Sequence, residues 1–315
     1  MTTDAGSDDQ DVPTDVETGA DVQADARQDA TGAQRAVADA RRDWLRWHEQ
    51  RTGTVSAPYG VLSVTGTHWI ADAEDGRLPG VPGEWYEAEG GDAVLLRASV
   101  ADGVAVDGEL LVDEVRLGED AGRPEDSRVS YSERRLVLMR REGAWAVRVF
   151  DPASAARRAF GGIEVFPYDP EWVRPGVFRP YEEGRRSILV GNADGAERGL
   201  SLAGELRFTA PGSSGGGGAE HALQVARYED GTLWAVLADG TSGRSSYRFR
   251  FLYVAPPGRS GGGAGGGSEG EVSVDFNRTV LPPCAFSDHF LCPFPPPGNT
   301  LAVDVAAGER EVAVS

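Results

Sequence analysis

The residues best suited to chemistry lie near the C-terminal end, where Cys284, His289 and Cys292 form a C-x4-H-x2-C arrangement within a proline-rich stretch from Pro282 to Pro297. Thiolate and imidazole are ordinary zinc ligands, but a closed site takes four donors. Three soft donors occur here, with Asp288 as the adjacent oxygen. The residue types therefore leave three readings open: a reversible or inert cysteine pair, a zinc or iron site, and a reactive thiol. A nucleophilic cysteine needs an imidazole beside it and a third group to orient the imidazole. In a hydrolase or redox reading, Cys284 or Cys292 would react, with Asp239 or Glu309 carrying a proton. A reducing compartment disfavours a permanent disulfide. No cofactor is implied beyond the zinc or iron alternative.

A second constellation is polar. Asp239-Gly240-Thr241-Ser242-Gly243 has the composition of a tight turn whose hydroxyls bond nearby backbone. Thr241, Ser242 and Tyr247, taken with Asn277, Arg278 and Asn299, would form a rim that orients a small anionic or polar ligand. An arginine fork beside hydroxyls and an amide suits a carboxylate or phosphate. Arg278 serves equally well to close an internal ion pair with a neighbouring aspartate. Glu164 and Asp169 are two carboxylates beside aromatic residues, the residue types of glycoside hydrolysis, but their spacing sets no separation. There is no G-x-S-x-G, no H-E-x-x-H and no phosphate-binding glycine motif followed by a helix.

These residues need a scaffold, and the hydrophobic pattern supplies one. Residues 1–33 contain no aromatic side chain, and nine acids stand against one arginine in the first 30, which predicts a disordered acidic tail. From Ala33 to Arg51, the apolar positions Val37, Ala40, Trp44 and Leu45 recur at helical spacing, and Gly53 supplies a stop. Beyond it the period shifts to two, with short runs at 60–64, 84–88, 93–98, 104–106, 110–117, 136–141 and 144–149. Asp107-Gly108 and Glu142-Gly143 are hairpin turns.

An aromatic, proline-rich bridge runs from Arg158 to Pro180. After it, further strands are predicted at 185–190, 199–209, 221–228, 232–238, 247–254, 271–276 and 300–305. Gly212–Gly218 and Ser260–Ser268 read as disordered hairpin loops. The expected fold is mainly β: an N-terminal helix and sandwich over 34–157, then an antiparallel barrel or sandwich over 158–315, capped by the proline-cysteine segment. A loop this stiff either packs as a lid or lines a site.

The formal net charge is −19, and every one of the 31 basic residues is arginine. Such acidity excludes a basic nucleic-acid footprint. It suits a cytosol with molar salt, where self-repulsion is screened. A haloarchaeal source is the first expectation and a GC-rich actinobacterial one the second. No apolar run approaches a membrane span, and the N-terminal residues lack a secretory pattern, so a cytoplasmic location without membrane partners is expected. The composition leaves the oligomeric state open. A structural or protein-interaction module remains a third functional class.

Two stretches carry a family resemblance. One is Phe160-Gly161-Gly162-Ile163-Glu164-Val165-Phe166-Pro167-Tyr168-Asp169-Pro170. The other runs from Asp275-Phe276-Asn277-Arg278 through Pro282-Pro283-Cys284-Ala285-Phe286 and Cys292-Pro293-Phe294 to Ala307-Gly308-Glu309. Together with the Asp239–Gly243 turn and Tyr247, they resemble the bacterial and archaeal family catalogued as domain of unknown function 1684, over roughly residues 40–310. The family pattern pairs the cysteines without requiring the histidine, and it implies no known activity. The stretch Gly60–Asp151 resembles a forkhead-associated sandwich, with Arg77 in a loop but no Ser-x-x-His after it. That resemblance implies a scaffold and not a phosphopeptide reader.

Overall fold

The computed structural model describes residues 19–182, 186–211, 218–257 and 269–315, with side chains from 32 onward. The Gly/Ser tracts at 212–217 and 260–268 and the first 18 residues of the acidic tail lie outside the described residues. The first helix, α1, spans Gly19–Val55, so it starts well before the expected Ala33. Residues 19–33 are alanine-rich, contain no proline and place Asp21 near the helix start. Helix propensity and the helix dipole both favour this, and neither requires a buried face.

The chain divides into two units, Met1–Leu45 and Arg46–Ser315. The second contains all the strands among the described residues. Its first half has β1 (Val64–Trp69), β2 (Glu84–Glu87), β3 (Val94–Ala98), β4 (Val104–Val106), β5 (Glu109–Leu110), β6 (Asp113–Leu117), β7 (Val129–Tyr131), β8 (Arg134–Arg141) and β9 (Ala144–Phe150). They form a six-stranded sheet in the order β1-β9-β8-β7-β4-β5 and a three-stranded sheet β2-β3-β6. The apolar alternation buries Trp85, Leu96, Val104, Leu136, Leu138 and Val147 in one core. Both expected turns are present: Asp107 and Gly108, like Glu142 and Gly143, have positive φ, which matches the right-handed twist of a hairpin. Residues 61–63 form a short 3-10 turn where a strand was expected, and β1 begins at Val64.

The second half has β10 (Phe160–Val165), β11 (Val173–Pro180), β12 (Arg186–Gly191), β13 (Glu197–Leu202), β14 (Gly204–Thr209), β15 (Glu220–Arg227), β16 (Leu233–Leu237), β17 (Arg250–Val254), β18 (Gly270–Asp275) and β19 (Glu309–Val314). Six of them make an antiparallel half-barrel in the order β17-β16-β15-β14-β11-β18, while β10 pairs β19 and β12 pairs β13. The aromatic bridge therefore contains two strands, and β11 lies inside the large sheet. Its Pro175 and Gly176 hide the strand from a pattern reading. Residues 300–305 form no strand, because Val305 N–H is held by the Asp239 carboxylate and the Gly240 amide by the Val303 carbonyl. Nor is the connection around 260–268 a hairpin, since β17 and β18 lie at opposite ends of the sheet order.

The inner face of the half-barrel packs Ala235, Leu237, Leu252 and Val254 into the main core with Phe178, Leu206 and Phe276. Val236 and Phe251 point the other way, and they meet Cys284, Cys292, Phe290 and Phe294. Because side chains alternate along a strand, the proline-cysteine segment covers the outer face of β16 and β17 and not the mouth of the barrel.

Candidate functional site

The polar residues singled out in the sequence mostly serve the fold. Asp239 and Arg250 are fully buried and paired at 2.8 Å. The other Asp239 oxygen accepts from the Thr241 amide at 2.8 Å and its hydroxyl at 2.7 Å, and from the Val305 amide at 3.1 Å. Ser242 Oγ accepts from the Asp239 amide. The Asn277 side chain bridges the Asp169 backbone and Asp275. That of Asn299 accepts from the Gln224 amide and donates to the carbonyls of Gln224 and Val236. Glu309 is buried, with one oxygen on Arg51 and the other on the Leu281 amide. Arg278 closes an ion pair with Asp275 at 3.3 Å and lies over Trp47. Of the expected ligand rim, Arg278 borders a concavity of about 450 Å³, together with Trp47, Arg51, Tyr253 and Pro283. The hydrogen bonds of the other five members run within the protein, so the six do not converge on one hollow.

The structure places a different cluster against the proline-cysteine segment. A cleft of about 350 Å³ has Trp234, Phe251 and Tyr253 of β16 and β17 as its floor. The β8–β9 hairpin contributes Arg141 and Arg148, and the β12–β13 hairpin contributes Arg198. Leu291, Cys292 and Pro293 close one end. Phe251, Tyr253 and Pro283 also border the Arg278 concavity, so the two hollows are adjacent.

The three arginines are not equivalent. Arg198 holds Asp194 through two bonds of 2.7 Å. Arg141 donates to the Leu291 carbonyl at 3.2 Å, and Arg148 donates to the Thr67 hydroxyl at 3.0 Å and lies 4.8 Å over the Phe290 ring. Among the described residues, neither Arg141 nor Arg148 has a carboxylate within ion-pair distance. Burial, with Arg141 as a lesser like-charge contribution, draws Arg148 down to about 10. Burial and then Arg198 lower Arg141. The strand signal for Arg148 is present in the sequence: Ala144-Trp145-Ala146-Val147-Arg148-Val149-Phe150 is an apolar run broken by one charge. What cannot be read there is that this charge meets the loop around Cys292.

Cys284 and Cys292 are both free and buried. The Cys284 amide donates to Cys292 Sγ at 3.3 Å, which brings the two side chains together. The Tyr247 hydroxyl donates to the Cys284 carbonyl at 3.3 Å and lies 3.8 Å from its sulfur. The bond from Cys292 holds the Cys284 thiol down to about 7, with Tyr247 and Arg248 assisting against burial. That same bond and burial push Cys292 up. Burial and Cys284 raise Tyr247 to about 12. His289 is exposed and away from this pair's hydrogen bonds; among the described residues, no three metal-binding side chains come together. The C-x4-H-x2-C ligand set, one of the three readings left open by the residue types, is not assembled among the described residues.

A larger concavity of about 760 Å³ lies along β11, β14 and β18, but its charges are answered internally. Arg207 meets Glu205 and Glu220, Arg179 meets Glu269, and Arg174 meets the Thr209 carbonyl. The smaller cleft is the better candidate because two of its guanidinium groups, Arg141 and Arg148, have no carboxylate partner among the described residues and lie over an aromatic floor, against Arg174 alone in the larger one. Among the described residues, no helix is long and apolar enough to cross a membrane.

No curated protein matches this chain. Among solved structures, the solution NMR structure of an uncharacterized protein of Haloarcula marismortui is 29% identical, with 48% of this chain and 77% of that one covered and a TM-score of 0.36. Residues 158–310, which contain the half-barrel, the buried Asp239–Arg250 pair and both cysteines, match the family model "Protein of unknown function (DUF1684)".

Proposed function

We propose that the protein binds a small molecule bearing a carboxylate or phosphate, in the cleft between the β8–β9 hairpin and the outer face of the half-barrel. The observation that carries this reading is the pairing of Arg141 and Arg148. The chain holds 50 acidic residues against 31 basic ones, so carboxylates are abundant. Among the described residues, the half-buried Arg51, Arg134, Arg198, Arg207 and Arg278 each take one. Two guanidiniums left with only neutral partners on one cleft wall form a planar, multidentate donor surface for an anion supplied from outside. The aromatic floor of Trp234, Phe251 and Tyr253 suits the apolar body of such a ligand. On this reading the first half is a forkhead-associated-like scaffold that contributes β8 and β9, and the proline-cysteine segment is one wall of the site.

The test is calorimetry and thermal unfolding with inorganic phosphate, sulfate and benzoate, at constant ionic strength because the attraction is screened by salt. A saturable rise in Tm is expected for the wild-type chain with at least one anion, and it should be lost in Arg148→Gln and weakened in Arg141→Gln. The absence of a saturable shift with all three probes, or an equal shift in both variants, would overturn the reading. Arg141 and Arg148 would then serve to tether the loop through Leu291 and Phe290.

A further inference from the structure

The thiol pair sits on the same cleft and is not needed to hold an anion. Cys292 borders the hollow, and Cys284 lies behind it, its backbone amide donating to Cys292 Sγ. Positive charge flanks both sulfurs: Arg148 acts on Cys292, and Arg248 acts on Cys284 while lying across Tyr247, Phe249 and Phe294. Pro283 precedes one cysteine and Pro293 follows the other, which fixes the backbone beside each. A structural cysteine in a dry core ordinarily has an apolar surround that raises its pKa and makes it inert. Here the two thiols lie against each other, and Tyr247 and two arginines flank them.

We propose that Cys284 and Cys292 are a dithiol that exchanges with low-molecular-weight disulfides carrying carboxylates, which the arginine cleft recruits. This rests on the anion-binding reading of the cleft and names a substrate class for it. In the first step Cys292 gives its proton to the Cys284 thiolate lying against it, and the Cys292 thiolate so formed attacks one sulfur of the ligand, RSSR. A Cys292–SR bond forms, the ligand S–S bond breaks and RS⁻ leaves. Cys284 gives its proton to that thiolate, producing RSH. The Cys284 thiolate then attacks Cys292 Sγ, the S–SR bond breaks and a second RS⁻ departs, to be protonated by solvent. Two electrons pass from the dithiol to RSSR, leaving a Cys284–Cys292 disulfide and two thiols. The reverse sequence, with excess RSH, restores the dithiol.

The experiment compares oxidised glutathione, which bears carboxylates, with cystamine, whose ends are cationic. The native full-length chain is exposed to each, with free thiols counted and intact mass measured over time. The expected result is loss of both thiols without a retained adduct, reversed by reductant, and about 10-fold or more faster with oxidised glutathione. Cys284→Ser is expected to trap a glutathione adduct on Cys292, whereas Cys292→Ser forms little. Inorganic phosphate should slow the glutathione reaction. Equal rates with the two disulfides, or no thiol loss while the unfolded chain reacts with both, would overturn the proposal. Phosphate binding is measured separately on the Cys284→Ala, Cys292→Ala double variant. Retained binding there means that failure of the exchange leaves the anion site standing, and absent binding removes both.

Discussion

Replacing Arg148 by methionine should make the unliganded protein more stable while removing its response to anions. Arg148 is a base whose ordinary value of 12.5 is drawn to about 10 by burial, with no described carboxylate to repay the desolvation. At 1.36 kcal/mol per tenfold change, that corresponds to at most about 3 kcal/mol, less whatever solvent screens. The folded-state value is the lower one, so the cost is fully present below about 10 and is relieved only as pH rises through it toward 12.5. Across the neutral range the guanidinium stays charged and the cost is flat. Against it stand the contact with Phe290, worth about 1–2 kcal/mol when desolvated, and the Thr67 bond, worth about 1–2 kcal/mol. Methionine keeps much of the stem volume and the ring contact without the charge. The net expectation is a gain of about 0–2 kcal/mol in urea unfolding of the unliganded chain. The same variant should lose at least about 10-fold in phosphate affinity by calorimetry, since a hydrogen bond to a charged group contributes about 1.5–3 kcal/mol. A variant destabilised by more than about 2 kcal/mol, or one that binds phosphate as the wild type does, would refute the reasoning. Arg148 would then be a structural tether and not a charge held in reserve.

Asp239→Ala should destabilise by about 3–5 kcal/mol in chemical denaturation, because it leaves Arg250 buried with only carbonyl partners and the Thr241 hydroxyl; adding Arg250→Met should recover part of the loss. Asn299→Ala removes an acceptor for the Gln224 amide and donors for two buried carbonyls, so a loss of about 2–4 kcal/mol is expected with no change in phosphate affinity. The pH profile of iodoacetamide alkylation should show a thiol with a midpoint near 7, rising toward the ordinary cysteine range in Cys292→Ala, since the bond from Cys292 is the largest influence lowering Cys284. A midpoint unmoved by that substitution would show that Cys292 does not act on the Cys284 thiol.

Much of the architecture was legible from alternation and turn chemistry. The period-two runs of the first half and the Asp107-Gly108 and Glu142-Gly143 hairpins are local features: each strand carries its own apolar face and each turn its own positive-φ residues. The polar turn at Asp239 was legible as a turn, but its role was not, because Arg250 and Val305 reach it from elsewhere in the chain. Strands β10 and β11 were masked by Gly161-Gly162 and Pro175-Gly176, and they form because β19 and β18 pair with them across long separations. The start of α1 was misjudged for a related reason: charge and missing aromatics report the lack of a core, whereas propensity alone extends the helix.

By itself the sequence determined that this chain is strongly acidic, mainly β with an N-terminal helix, and furnished with a stiff segment bearing two cysteines. Only the tertiary structure decided that this segment lies on the outer face of β16 and β17, beside Arg141 and Arg148. Alternation says which side chains share a face of a strand, but not what is brought against that face. A guanidinium and a thiol about 140 residues apart become one site only when two hairpins and a proline-braced loop are packed together.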